Sequence, residues 1–205
     1  MRGALILAGG RSTRFGRNKA LAKLAGRPLI LHVLDRVMSV ADEVLVAIGR
    51  ENQTSFFTKL VPRSVPVLKD RMHEKSPLVG IVTGFQAMKS QYSLVLSCDT
   101  PFAKESVLES LFERAAESDA AIPRWPNGDL EPLQSVYRVR GALRAARLAL
   151  SQHGFRNVDM IKRLDKVVFV PVQEIEQLDS ALLTFFNVNT PRDLRRAEVI
   201  YPFDR

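Results

Sequence analysis

Short apolar runs alternate with amphipathic stretches through the first 125 or so residues, and this rhythm leaves few folds open. Residues 4–8, 43–48, 65–68, 93–97 and 120–122 read as strands. Between them, 28–40, 52–60, 77–89 and 104–118 read as helices. In the first helix, Leu31, Leu34, Val37 and Met38 form the predicted apolar stripe, and Pro28 suits its first turn. Strands that alternate with helices predict a doubly wound, parallel α/β sheet. Beyond residue 125 the rhythm loosens. A strand over 133–139, a helix over 141–152 and a strand over 167–172 are expected, and Asn189-Thr190-Pro191 opens a last helix. Residues 124–129 are the best candidate for a long loop.

The first strand ends in Leu7-Ala8-Gly9-Gly10, and a cationic loop follows, Arg11 to Lys19. A buried parallel strand feeding a glycine-bearing loop is where α/β proteins bind phosphates. Glycine lets the backbone approach an anion, and Arg14 and Lys19 add positive charge at the same place. Neither common phosphate motif fits. Five residues separate Gly10 from Gly16, and Ala20 follows Lys19, which departs from the P-loop. The G-x-G-x-x-G spacing of dinucleotide folds is also missing. An ATPase of the P-loop kind and a nicotinamide dehydrogenase are therefore disfavoured.

At 205 residues the chain is expected to form one domain. No apolar stretch reaches the ~20 residues of a membrane span. The N-terminus leads straight into a strand, so no removable leader is expected. The single cysteine, Cys98, excludes an intrachain disulfide and a cysteine zinc cluster. A soluble, cytoplasmic protein is the expectation. The net charge of +8 suits an anionic partner. The phenylalanines lie in apolar runs and are not interleaved with basic residues, which makes nucleic acid an unfavoured partner.

Asp99, in Ser97-Cys98-Asp99-Thr100-Pro101, follows the fourth strand. Ligands of open α/β sheets sit beyond the carboxyl ends of the strands, so the glycine loop and Asp99 should meet at one edge. A carboxylate there can hold Mg²⁺ or can cap the next helix; alongside the loop, the metal reading is favoured. Ser76-Pro77-Leu78-Val79-Gly80, with Asp70 upstream, reads as a turn and helix start. Later come Glu131-Pro132-Leu133, Arg156, and Asn187 with Asn189. Asparagines two apart on an extended segment face one side and can bind a polar ligand or cap the helix. Arg140, Arg144 and Arg147 share a helix face that reads as solvated surface. No histidine has metal-ligand spacing, and Cys98 reads as a buried strand-end residue.

Leu7 to Leu21 resembles the activation loop of nucleotidyltransferases, and the later motifs together resemble the molybdenum cofactor guanylyltransferase family over nearly the whole chain. The likeness rests on Leu7-Ala8-Gly9-Gly10, Arg14-Phe15-Gly16, Lys19, Asp70, Ser76-Pro77-Leu78-Val79-Gly80, Cys98-Asp99-Thr100-Pro101, Glu131-Pro132-Leu133, Arg156 and Asn187-Val188-Asn189-Thr190-Pro191. Ser76 stands for a glycine, Arg192 for an acidic residue, and Ala47-Ile48-Gly49 where some members carry Asn. The resemblance implies a three-layer, Rossmann-like nucleotidyltransferase fold with a mostly parallel central sheet. It implies transfer of GMP from GTP to molybdopterin, with Mg²⁺ on Asp99. Lys19, Arg14 and Asp99 would be catalytic; Leu7, Ala8, Gly9, Gly10, Lys19, Asp70 and Asp99 would bind nucleotide; Arg156, Asn187 and Asn189 would bind the acceptor. Residues 1–123 would form the nucleotide half and 124–205 the acceptor half. Cofactor-biosynthesis or molybdoenzyme-maturation proteins are further expected partners. The alternatives are the same chemistry with CTP or another phosphorylated acceptor, and a nucleotide- or cofactor-binding protein without turnover.

Overall fold

The computed structural model describes residues 1–9, 18–52, 54–72, 74 and 76–203. Its centre is β1 (Arg2–Ala8), flanked in parallel by β4 (Glu43–Ile48) and β6 (Tyr92–Ser97). β5 (Val67–Lys69) extends the sheet beyond β4. On the other side come β8 (Gln134–Arg138), β7 (Ala120–Arg124) and β9 (Val167–Pro171), giving the order β5-β4-β1-β6-β8-β7-β9. β8 is antiparallel to both β6 and β7. The doubly wound parallel expectation thus holds for the first four parallel partners and for β7 with β9, and fails at β8. That strand follows β7 through a loop without a helical crossover, and only a crossover lets successive strands run parallel.

The sides of β1 are sorted by alternation. Ala4, Ile6 and Ala8 enter one apolar cluster; Leu5 and Leu7 enter another on the opposite face. Helices α1 (Leu29–Met38), α2 (Thr54–Leu60), α4 (Glu105–Arg114) and α7 (Val172–Ile175) contribute to the first cluster. Helices α3 (Pro77–Ala87), α5 (Val139–Ser151) and α6 (Asn157–Ile161) contribute to the second. The result is the expected three layers.

The stripe of α1 is rotated from the expected one. Leu29, Ile30, Val33, Leu34 and Val37 are buried, Leu31 is half-buried and Met38 is exposed. Pro28 lies before the helix, in the two-residue strand β3 (Arg27–Pro28), which pairs with β2 (Lys23–Leu24). The turn between them, Ala25-Gly26, has both residues at positive φ, as a tight hairpin of this twist needs. On α3, glycines let the helix press onto β1. A Cβ at Gly84 would stand 2.3 Å from Leu5 Cδ1, and one at Gly80 2.9 Å from Leu7 Cδ2. The last helix, α8 (Pro191–Ile200), is capped by Thr190, whose hydroxyl accepts from the Asp193 amide while the Asp193 carboxylate accepts from the Thr190 amide.

Candidate active site

The strands β1, β4, β5 and β6 run the same way, so their carboxyl ends share one edge of the sheet. β1 delivers Gly9 there, β6 delivers Asp99, and β5 delivers Asp70. The chain returns from the glycine loop as a single 3₁₀ turn, Lys19–Leu21. Asn18 caps that turn: its Oδ1 accepts from the Ala20 amide at 3.0 Å. Its Nδ2 donates to Asn52 Oδ1 at 2.7 Å, and Asn52 Nδ2 lies 3.5 Å from the Ala8 carbonyl. The turn is thereby tied to the ends of β1 and β4, and Lys19 projects into the edge.

Lys19 Nζ donates to Asp99 Oδ2, forming an ion pair, and to Asn189 Oδ1 at 2.7 Å. An ammonium has three N–H bonds, so among the described residues one is left for an incoming oxygen. Asp99 is only 6% exposed, and its Oδ1 is buried without a donor among the described residues. A buried carboxylate oxygen in that state fits a cation. Mg²⁺ commonly takes one or two carboxylates and fills its shell with water and phosphate oxygens. No group of three or more metal-ligand side chains occurs among the described residues. The donor set therefore suits a one-carboxylate, phosphate-completed site. The capping alternative for Asp99 does not hold, because α4 begins only at Glu105 with Lys104 before it. The carbonyl of Asp99 accepts from the Val188 amide at 2.9 Å, which draws the segment before α8 across the end of β6.

Gly9 and Asp70 are neighbours: a Cβ at Gly9 would lie 3.8 Å from Asp70 Oδ2 and 3.1 Å from the Gly49 amide. Only a hydrogen fits comfortably between β1 and β4 at that point. Burial raises the Asp70 pKa, opposed by a hydrogen bond from Thr83 and assisted by the nearby Glu51 carboxylate. Its Oδ1 also lacks a donor among the described residues. Leu7 and Ala8 are buried in β1, ahead of Gly9. Gly10 and Arg14 lie outside the described residues.

The three acceptor candidates separate into two places. Asn187 Nδ2 donates to the Phe185 carbonyl at 3.0 Å, and its Oδ1 lies 3.5 Å from Gln134 Nε2. Asn189 reaches Lys19, and the capping role falls to Thr190 instead. Arg156 sits before α6, its side chain 76% exposed and 3.6 Å from Asp159. The neighbouring Phe155 carbonyl accepts from Ser76 Oγ, which also caps α3 by accepting from the Leu78 amide at 3.1 Å. Arg156 therefore stands beside the start of α3. Gly80 is a packing glycine against Leu7, and Arg140, Arg144 and Arg147 are exposed. Cys98 is buried, and desolvation pushes its thiol up to about 12, so it holds no thiolate near neutral pH.

Asn52 and Gln134 carried no signal as site residues. Asn52 meets Asn18 across 34 positions, and Gln134 meets Asn187 across 53. Asn18, a capping residue type directly ahead of Lys19, is the local sign that could have marked the turn.

This fold, with a lysine and an aspartate joined beyond a glycine-ended central strand, is that of a nucleotidyltransferase enzyme. The chain belongs to the family described as MobA-like NTP transferase domain, whose model matches residues 4–167. It is similar to the "Probable molybdenum cofactor guanylyltransferase" of Natronomonas pharaonis, 35% identical, with 96% of each chain covered. The protein of the same name from Methanosarcina mazei is 33% identical over 94% of this chain and 88% of that one. A solved structure, molybdopterin-guanine dinucleotide biosynthesis protein A from Archaeoglobus fulgidus, superposes with a TM-score of 0.83 at 29% identity, covering 99% of this chain and 100% of the other.

Proposed function

We propose that this enzyme transfers GMP from GTP to the phosphate of molybdopterin, releasing pyrophosphate and forming molybdopterin guanine dinucleotide. The observation that carries the reading is the Lys19–Asp99 pair at the shared carboxyl edge of β1 and β6, in a chain whose relatives are named for this reaction. An oxygen of the acceptor phosphate attacks the α-phosphorus of GTP in line. The bond from that phosphorus to the bridging oxygen breaks, and pyrophosphate leaves with the electron pair. No covalent enzyme intermediate is needed, so positioning and charge stabilisation carry the rate. Lys19 directs its remaining N–H to the phosphate oxygens as charge moves toward the leaving group. Arg14 is assigned the same task from the glycine loop. Asp99 is the residue that would hold Mg²⁺, which when bound offsets phosphate charge. The backbone of Leu7, Ala8, Gly9 and Gly10 would receive the nucleotide. Asp70, a half-buried carboxylate, would accept from the N1–H and 2-amino donors of guanine. Arg156, Asn187 and Asn189 would meet the acceptor. No helix among the described residues is long and apolar enough to cross a membrane; work alongside cofactor-biosynthesis or molybdoenzyme-maturation proteins in the cytoplasm accords with this reading.

Pyrophosphate release is measured with molybdopterin, Mg²⁺ and each of GTP, CTP, ATP and UTP in turn. Release with GTP alone is expected. Faster release with CTP overturns the guanine assignment. No release with any nucleotide overturns the reaction and leaves a binding protein.

A further inference from the structure

We propose that Glu131 reads the pterin ring of the acceptor, accepting from its ring N–H and 2-amino group. This inference rests on the transfer to molybdopterin proposed above.

The reversal of β8 puts Glu131 in place. Because β8 is antiparallel to β6, with Gln134 opposite Leu96, the residues ahead of β8 emerge at the edge where β6 presents Asp99. Glu131 is linked onward to the Lys19–Asp99 centre through a continuous series of contacts. The Gln134 amide donates to the Glu131 carbonyl at 3.1 Å, and Gln134 Nε2 reaches Asn187 Oδ1. The Asn189 amide donates to the Asn187 carbonyl at 3.1 Å, and Asn189 Oδ1 accepts from Lys19.

The carboxylate itself is incompletely partnered. Its Oε1 accepts from Trp125 Nε1 at 2.7 Å. Among the described residues, Trp125 is the side-chain donor to this carboxylate, and the one charged group acting on it is the acidic Asp129. Burial, with Asp129 nearby, raises its pKa, which the Trp125 hydrogen bond only partly offsets. A half-buried carboxylate without a cation is best matched by a neutral ligand with adjacent N–H donors, because two such donors satisfy it without a second charge to desolvate. The 2-amino-4-oxo edge of a pterin is such a ligand.

Guanine carries the same donor edge, and the sheet holds a second carboxylate of the same kind at its other side. Asp70 follows β5, and Glu131 lies between β7 and β8, so the two flank the central β1 and β6. At about 4.8 Å per strand, the four to five strand steps between them span on the order of 20 Å. One carboxylate would read each ring of the product, with the phosphates between. A purely structural role would have Glu131 only anchor Trp125, whose ring packs at 5.6 Å on Phe185.

Molybdopterin affinity is measured by equilibrium titration for the wild type, Glu131→Gln and Trp125→Phe, alongside the KM for GTP and the melting temperature. Gln keeps the volume and the acceptor for Trp125 but loses the charge. The expected result for Glu131→Gln is molybdopterin binding weaker by about 10- to 100-fold, the range of charge-assisted hydrogen bonds, with GTP KM within twofold and melting unchanged. Trp125→Phe, which keeps the carboxylate, should stay within threefold of wild type. Unchanged molybdopterin affinity in Glu131→Gln overturns the assignment. So does an equal loss for GTP, an equal loss in Trp125→Phe, or a wild type that does not bind molybdopterin. A wild type that binds molybdopterin through Glu131 but releases no pyrophosphate would sink the proposed reaction and leave this assignment standing.

Discussion

Gly84→Ala tests how tightly helix α3 is seated on the central strand. The new Cβ would lie 2.3, 2.5 and 2.9 Å from Cδ1, Cδ2 and Cγ of Leu5. Carbon atoms prefer about 3.5–4.0 Å, so the shortfall exceeds 1 Å at the closest atom. Leu5 has little room to retreat. It is fully buried on β1, with Leu45 of β4, Val95 of β6 and Phe85 of α3 in the same cluster. Because Cγ is close as well as both methyl carbons, a rotamer change does not clear the clash, and α3 must lift. Overpacking costs about 1–3 kcal/mol, and this geometry belongs at or above the upper end. Alanine returns about 1 kcal/mol of helix propensity. The net loss is about 2 kcal/mol, a fall of roughly 4–8 °C in Tm for a chain of this size. Gly80→Ala is the control, because its single close atom is the tip of Leu7 at 2.9 Å; a change within about 1 kcal/mol is expected. Both are read by urea and thermal denaturation followed by circular dichroism. Leu5→Ala alone should cost about 2–5 kcal/mol, and the double variant should lose at least about 1 kcal/mol less than the sum of the singles. Strict additivity, or a Gly84→Ala protein as stable as wild type, would refute the close-packing argument.

Asp99→Asn should fold and lose turnover by about 10²–10³-fold at saturating Mg²⁺; near-normal turnover in a folded variant removes Asp99 from the reacting centre. Lys19→Ala should lower kcat and kcat/KM together, by about 10²-fold, whereas a rise in KM alone would make the lysine a uniform binding contact. Arg156→Ala combined with Asn187→Ala should weaken molybdopterin binding and leave GTP binding within twofold; equal losses, or a lower Tm with intact binding, would mark the pair as structural. His32 is held below its ordinary pKa by burial, against the pull of the Leu24 carbonyl it bonds at 3.0 Å. The unfolded chain therefore binds the proton more readily, and the stability from a neutral His32 is present above about pH 6.5 and is lost as pH falls below it. Urea midpoints from pH 8 to pH 5.5 should drop for wild type and flatten in His32→Gln; parallel curves would assign the titration elsewhere.

The legible parts of the fold were those with a strong local cause. The bounds of strand β4 are legible in the sequence because Val44 to Ile48 is a continuous apolar run, and it is buried throughout. The start of α8 was legible because Thr190-Pro191 pairs a capping hydroxyl with proline inside. Strand direction was not, since β8 shows the same burial whichever way it runs. Helix α6 is five residues long, too short for a period to register. In the site, the meeting of Lys19 with Asp99 followed from the edge rule for α/β sheets. The hydrogen bond from Lys19 to Asn189 spans 170 positions and had no local sign.

The reversed β8 also separates two kinds of change that evolution or a designer could make. Strands β1, β4, β5 and β6 are joined through helices, so a length change there would shift packed layers. The connection from β7 to β8 is a surface excursion whose tip, Asn127-Gly128, is exposed, with Gly128 at positive φ and open space around it. It begins and ends on paired strands, and the bridge between Arg124 and Leu130 closes its base. Residues could be added or exchanged at that tip while the register of β6 against β8 stays as it is. On the function proposed above, acceptor selection could then drift at that loop while the Lys19–Asp99 pair stays in place.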